Sequence, residues 1–427
     1  MSDRDAEFED WIGRARRAPV REYLQRKGLW TQRMMGDRGT ACPACGGDDR
    51  FAINTRKNLW NCRKSGMGGG ALAFEAHLRG LDALRGQDFL DAAEAVTGEA
   101  APTRSQEPWD ERQARLKREA ERLAQRQTEI TRAEASAAQA QRQFRERERT
   151  RAWKLWRDEG REWRYSDGER YLGLRRCEAG DDAALRFHPV MPFWHDGEIL
   201  FRGPAMLAAI TGPDADEQGR LRFSGLHVTW LDLDNPPKYR RVIAHPATGE
   251  ILPAKKVRGS QKGGSILLVR ARDEHGAPCA PCMIVAGEGI ETTLAAWNAL
   301  RATTPAALEG VEFRAFVNLG NFAGKARETL RHPTESRTDT LGRVRAAKYP
   351  GPEPMWPDDI APVPIPPSCT DLVWLMDADG DQVRSDADVA RGAARYSLHY
   401  PWLTVRVARP EEGCDFAQMR QSQGEAA

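Results

Sequence analysis

The feature that most confines this chain is the way two apolar runs end in acid. MIVA (283–286) is followed at once by Gly287, Glu288 and Gly289, and LVWLM (372–376) by Asp377, Ala378 and Asp379. Both runs are short, apolar and punctuated by turn residues, so each reads as a buried strand. A helical pattern follows the first at 290–300, FRAFVNL (313–319) supplies another strand, and a helix at 386–399 leads into a last strand, LTVRV (403–407). Residues 325–368, rich in proline, read as a long loop. Alternation of this kind predicts a parallel-rich α/β sheet covered by helices, and in such sheets ligands collect at the carboxyl ends of the strands.

Residues i and i+2 of an extended chain project to the same side. Asp377 and Asp379 therefore face together, and like charges so placed repel each other unless a cation lies between them. The glycines flanking Glu288 permit a sharp turn and close approach of a large substrate. Glu288, Asp377 and Asp379 are accordingly predicted to gather around a hard, oxygen-liganded cation, Mg²⁺ or Mn²⁺, and to serve phosphoryl transfer. Asp381 could extend the cluster. Glu291, in the first turn of the following helix, is accounted for by the helix dipole.

The amino-terminal part has a different grammar. Residues 5–27 read as an amphipathic helix with Phe8, Trp11, Ile12, Val20, Tyr23 and Leu24 on its apolar side, interrupted at Pro19. CPACGGDDRFAINTRKNLWNCRKSG then brings Cys42, Cys45 and Cys62 together with alternating Phe51, Ile53, Leu59 and Trp60. The C-x2-C pair suits one corner of a zinc site, and the alternation suits a small β-ribbon beneath it. The segment from Ala101, APTRSQEP, reads as a linker. Residues from Trp109 to about Trp163 hold no Gly or Pro before Gly160 and are dominated by Arg, Glu, Gln and Ala, which predicts one long solvated helix acting as a spacer. Short β-prone stretches separated by Gly and Pro fill 166–275.

The two acidic segments resemble the motifs of the Toprim domain shared by primases, topoisomerases and some nucleases. VAGEGIETTLAA is similar to the first motif of the phage- and plasmid-type Toprim primases, and WLMDADG to their second. PEEGCDFAQM is similar to their late Gly-x-Asp segment, which implies Asp415 as an accessory carboxylate, although Ala417 and Gln418 stand where a further Asp usually follows. The cysteine segment resembles the CHC2-type zinc-binding domain of the same family, with Ser65 where the fourth ligand belongs. Either water completes three thiolates, or another residue such as His77 or Asp48 does, or zinc binding has been lost.

The resemblance implies a zinc-ribbon-like domain at 1–100, a charged helical linker at 101–165, the first part of a primase core at 166–275 and a Toprim domain, Rossmann-like, at 276–427. It also implies an enzyme: a DNA-directed RNA polymerase (primase) that makes short RNA primers from NTPs on single-stranded DNA in phage or plasmid replication, beside a separate replicative helicase. In that family the stretch before Toprim lies along the template groove, which points to Lys255, Lys256 and Arg258 as phosphate contacts, supported by Lys238, Arg240 and Arg241. Arg63 and Lys64 of the ribbon are further candidates. A Toprim nuclease and a catalytically inactive single-strand-binding replication protein are the alternatives.

Composition sets the outer limits. Charged residues make up 30% of the chain, and no apolar run approaches the roughly 18–20 residues of a membrane-spanning helix. The start, MSDRDAEFEDWIGRARR, has no apolar core of a secretory signal, so a cytoplasmic location is expected. Eight cysteines in such a chain point to metal binding or burial rather than disulfides. GNFAGKA is one residue short of a P-loop and lacks its hydroxyl, which excludes a helicase of that type within the sequence.

Overall fold

The computed structural model describes residues 3–35, 39–102, 109–215, 221–338, 343–358, 360–378, 380–411 and 413–422. The chain is mixed α/β and separates into two compact units, Met1–Arg142 and Gln143–Ala427.

In the first unit, α1 (Asp3–Arg17) and α2 (Val20–Arg26) divide the expected amphipathic helix just before Val20, because Pro19 cannot continue a helix. β1 (Thr40–Cys42), β2 (Gly46–Asn54), β3 (Leu59–Cys62) and β4 (Gly68–Gly69) pair antiparallel in chain order. α3 (Ala71–Arg79) and α4 (Gly86–Thr97) follow. The period-two pattern of β2 turns Phe51 and Ile53 inward, opposite Cys62 and Trp60 of β3. Phe74 of α3 packs on Phe51 and Trp60 with ring centroids 5.2 and 5.1 Å away. Burying each such side chain stabilises the small unit by roughly 1.5–3 kcal/mol. α5 (Trp109–Lys154) realises the expected long helix and ends nine residues before Trp163, in one wider turn, Leu155–Glu159.

The second unit opens with α6 (Asp167–Leu174), β5 (Leu185–His195), β6 (Glu198–Ala215), β7 (Leu221–Trp230), the short pair β8 (Ile243–Ala244) and β9 (Ile251–Leu252), and β10 (Lys255–Gly259). β10, β7, β6 and β5 form one antiparallel sheet in that order. The β5–β6 hairpin turns on Asp196 and Gly197, both with positive φ, the geometry that matches the strands' own twist.

β11 (Ile266–Val269), β12 (Met283–Gly287), α7 (Ile290–Thr303), β13 (Val311–Ala315), α8 (Leu319–Ala323), β14 (Thr329–Thr338), β15 (Val344–Pro350), β16 (Asp371–Leu375), α9 (Gln382–His399), β17 (Thr404–Ala408) and α10 (Phe416–Ser422) complete the chain. The second sheet runs β11-β13-β12-β16-β17; β11 is antiparallel and the other four strands are parallel. Ile284, Ala286, Leu372 and Trp374 face a core with Phe316, Phe322 and Tyr396, while Val285 and Leu375 face another with Leu294 and Phe313. Cover on both faces is why these strands read as continuous apolar runs rather than alternating ones.

Three elements depart from the sequence expectation, each for a local reason. The strand expected at 313–319 starts at Val311 and stops at Ala315, because Asn318 caps α8 by accepting the Asn321 N–H at 3.0 Å. The helix expected from 386 begins at Gln382, capped by Asp381 through the Val383 N–H at 3.0 Å. The expected loop at 325–368 contains a two-stranded antiparallel ribbon, β14–β15. Its register jumps between Arg331 and Ser336, and Pro333 sits in the jump, so no regular alternation marks it in the sequence.

Candidate active site and metal centre

Cys42 ends β1, Cys45 lies in the turn to β2, Cys62 ends β3, and His77 comes from the last turn of α3. Their ligand atoms all lie within 4.8 Å of one another. Cys42 Sγ is 3.3 Å from His77 Nε2, and Cys45 Sγ is 3.4 Å from Cys62 Sγ. A tetrahedral zinc ion with ordinary bond lengths requires edges of about 3.5–3.8 Å, so a small expansion admits it. The Trp60 ring stacks on the His77 imidazole at 5.2 Å, fixing its plane. This Cys₃His cluster could hold zinc as a closed, structural site.

Of the residues that could complete the site, the geometry brings His77 to the cysteines. Ser65 has another role. Burial pushes the Cys42 thiol up to about 12. Burial acts the same way at Cys62, but hydrogen bonds from the Ser65 backbone and hydroxyl, followed by others, outweigh it and bring that thiol down to about 7. Ser65 thus hydrogen-bonds the Cys62 sulfur and is not among the four residues whose ligand atoms converge.

At the other site, Gly287 of β12 stands opposite Leu375 of β16 in a parallel pair. Glu288 leaves its strand one residue past that pair, Asp377 two residues past it, so both half-buried carboxylates emerge at the same carboxyl edge of adjacent strands. A Cβ on Gly287 would stand 2.8 Å from Thr293 Oγ1; glycine lets α7 start tightly against the strand. Thr292, in the first turn of α7, donates its hydroxyl to Asp377 Oδ1 at 3.4 Å.

Residues 413–415 run beside the same edge, joined to Ala378 by backbone bonds from Gly413 (3.0 Å) and to Cys414 (3.1 Å). Asp415 caps α10: its carboxylate accepts the Gln418 N–H at 2.6 Å and its own N–H donates to Gln418 Oε1 at 2.7 Å. Gln418 completes this capping box. Asp379 lies outside the described residues. Among the described residues, Glu288, Asp377 and Asp415 belong to no group of three ligand atoms close enough to share an ion. Asp381 is engaged elsewhere, on α9 and on His332, whose Nε2 lies 3.0 Å from its Oδ2.

Glu291 is more than a residue placed by the helix dipole. It is 4% exposed and accepts from Tyr171 Oη at 2.5 Å, Arg240 Nη2 at 2.8 Å and Lys255 Nζ at 2.9 Å. Burial alone would raise its carboxyl, yet Lys255 and then Arg240 hold it well below the usual carboxylate range. His227, buried nearby, is pushed down to about 3, first by burial and then by Lys255. The cluster ties β10 and the segment after β7 to the start of α7, three residues along the chain from Glu288. In the sequence Glu291 shows only as an acid at the start of a largely apolar helix.

Comparison with known proteins adds little chemistry. Residues 146–268 match a family described as a domain of unknown function, DUF7146. That is less than half of the chain. Among solved structures, the chain is similar to the primase fragment of the bacteriophage T7 primase-helicase protein, at 11% identity and a TM-score of 0.25, over 60% of this chain and 67% of that one. No curated protein matches. The functional reading therefore stands on residues and geometry.

The basic residues expected at phosphates divide into two groups. Arg240 and Lys255 are ion-paired to Glu291. Lys256 donates to the Trp194 carbonyl at 2.5 Å and lies 3.8 Å from the centre of the Phe193 ring, and Arg258 is half-buried. Lys238, Arg241, Arg63 and Lys64 are exposed, with Arg241 3.0 Å from Asp232 and Arg63 3.8 Å from Asp49. Among the described residues no helix is long and apolar enough to cross a membrane.

Proposed function

We propose that the chain is a template-directed nucleotidyltransferase, a primase that joins NTPs into short RNA primers on single-stranded DNA. The observation that carries this reading is the emergence of Glu288 and Asp377 from adjacent parallel strands at one carboxyl edge, within segments similar to Toprim motifs. In this reading Glu288 and Asp377, with Asp379 and Asp415, would hold Mg²⁺, which supplies charge neutralisation to the phosphates. Thr292 orients Asp377, and the Glu291 cluster fixes the turn that presents Glu288. The exposed Lys238 and Arg241 meet template phosphates. The Cys₃His ribbon, with Arg63 and Lys64, engages the template ahead of synthesis, and a separate helicase supplies the single strand.

The test is incorporation of labelled NTPs on single-stranded DNA with Mg²⁺, wild type against Asp377→Asn. Template-dependent product that disappears in the variant supports the proposal. Strand cleavage in place of synthesis overturns it in favour of a nuclease, and DNA binding with neither activity overturns it in favour of an inactive binding protein.

A further inference from the structure

The β14–β15 ribbon concentrates exposed positive charge. Residues 329–350 carry Arg331, Arg337, Arg343, Arg345 and Lys348 against Glu335 and Asp339: five basic minus two acidic side chains, a formal +3 in 22 residues, where the whole chain carries +2. The register sets like charge against like: Arg331 lies opposite Lys348, and Arg337 opposite Arg345. All four are exposed. Directly opposed like charges destabilise an antiparallel pair, and a two-stranded ribbon is marginal in water to begin with. A polyanion lying along the ribbon turns that repulsion into attraction.

The ribbon is also held in one place. Between the two like-charged pairs, four residues, 332–335, stand against Ala347 alone. This bulge turns His332 and Glu335 toward α9. His332 Nδ1 accepts the N–H groups of Thr334 (3.3 Å) and Glu335 (2.8 Å), which leaves Nε2 to donate to Asp381. Glu335 pairs with Arg384 at 2.5 Å. Asp381 and Arg384 begin the helix that follows Asp377, so the ribbon is fastened at the edge where Glu288 and Asp377 emerge.

We propose that β14–β15 is an arm that grips the phosphate backbone of a nucleic-acid duplex beside that edge. A two-stranded ribbon fits the roughly 12 Å major groove of a duplex, and its arginines and lysine reach phosphates on either side. Single strands are gripped differently, by stacking bases on aromatic rings. The only Phe, Tyr or Trp in 329–350 is Tyr349, half-buried edge-on against His332. The inference deepens the nucleic-acid reading above, but it is read out by binding alone. A chain that makes no primer can therefore still pass this test, and one that makes primer can fail it.

The experiment titrates the full-length protein with a fluorescein-labelled 20-base-pair DNA duplex and with a labelled dT20 strand, from low to moderate salt, by anisotropy. For Arg337→Gln with Arg345→Gln we expect duplex affinity to fall about tenfold or more. The slope of log K against log salt should shrink by about 1.8, two phosphate contacts at about 0.9 each. Affinity for dT20 should stay within about twofold and the melting temperature within a few degrees of wild type, both substitutions being at exposed positions. Arg331→Gln with Lys348→Gln should behave alike. If either double variant melts normally and keeps the duplex affinity and slope, or if dT20 binding falls in parallel, the proposal fails.

Discussion

Replacing His77 with alanine tests whether its imidazole is the fourth zinc ligand. Structural zinc binding is worth roughly 10–16 kcal/mol, so one ligand of four carries about 3 kcal/mol, and losing it raises Kd about a hundredfold. At a free zinc concentration about 100 times the wild-type Kd, the ion stabilises the native state by about 2.7 kcal/mol; after a hundredfold loss the same zinc gives only about 0.4 kcal/mol. His77 is 4% exposed beneath Trp60, so alanine also leaves a cavity. Urea unfolding of each protein with zinc and with chelator cancels that cost, because the cavity is present in both arms. Elemental analysis gives the stoichiometry. For Ser65→Ala, which removes the hydroxyl's support to the Cys62 sulfur and the acceptor of the Met67 N–H, the loss should be about tenfold in affinity with full occupancy retained. If His77→Ala keeps its zinc-dependent stability while Ser65→Ala loses it, the assignment of His77 is refuted.

Other outcomes follow from the second unit. Glu291→Gln leaves the half-buried Lys255 and Arg240 without a counter-charge and should cost about 3 kcal/mol in urea unfolding; a loss below about 1 kcal/mol would show the cluster to be slack. Because the Glu291 carboxyl is held low, its stabilisation is complete above the ordinary value of 4.5 and is lost as pH falls through the lowered one, so the variant should have a flatter acid limb. His227 works by the same proton balance at higher pH. Between its ordinary 6.5 and about 3 the unfolded chain holds a proton that the native site refuses, so stability should fall as pH falls across that window, and His227→Asn should flatten it. Asp415→Ala removes a helix cap and should cost about 1 kcal/mol; primer synthesis falling far more than this stability loss would mark Asp415 as a ligand as well.

The sequence by itself determined what local chemistry can write. Apolar runs ending at Glu288 and Asp377 set the parallel strands and placed both acids at one edge, because strand burial and strand polarity are local properties. The C-x2-C pair and the alternation through Phe51 and Trp60 set the ribbon for the same reason. Tertiary structure decided the matters that depend on distant segments meeting. His77 could be named as one way to close the cysteine site, but only the packing of α3 on β2 and β3 brings its imidazole to Cys42. Glu291 looked like a helix-start acid until Tyr171, Arg240 and Lys255, far away in the chain, converged on it. The β14–β15 ribbon was hidden because a bulge at 332–335 breaks the period-two pattern, and cross-strand register, which sets arginine against arginine, exists only once the strands pair.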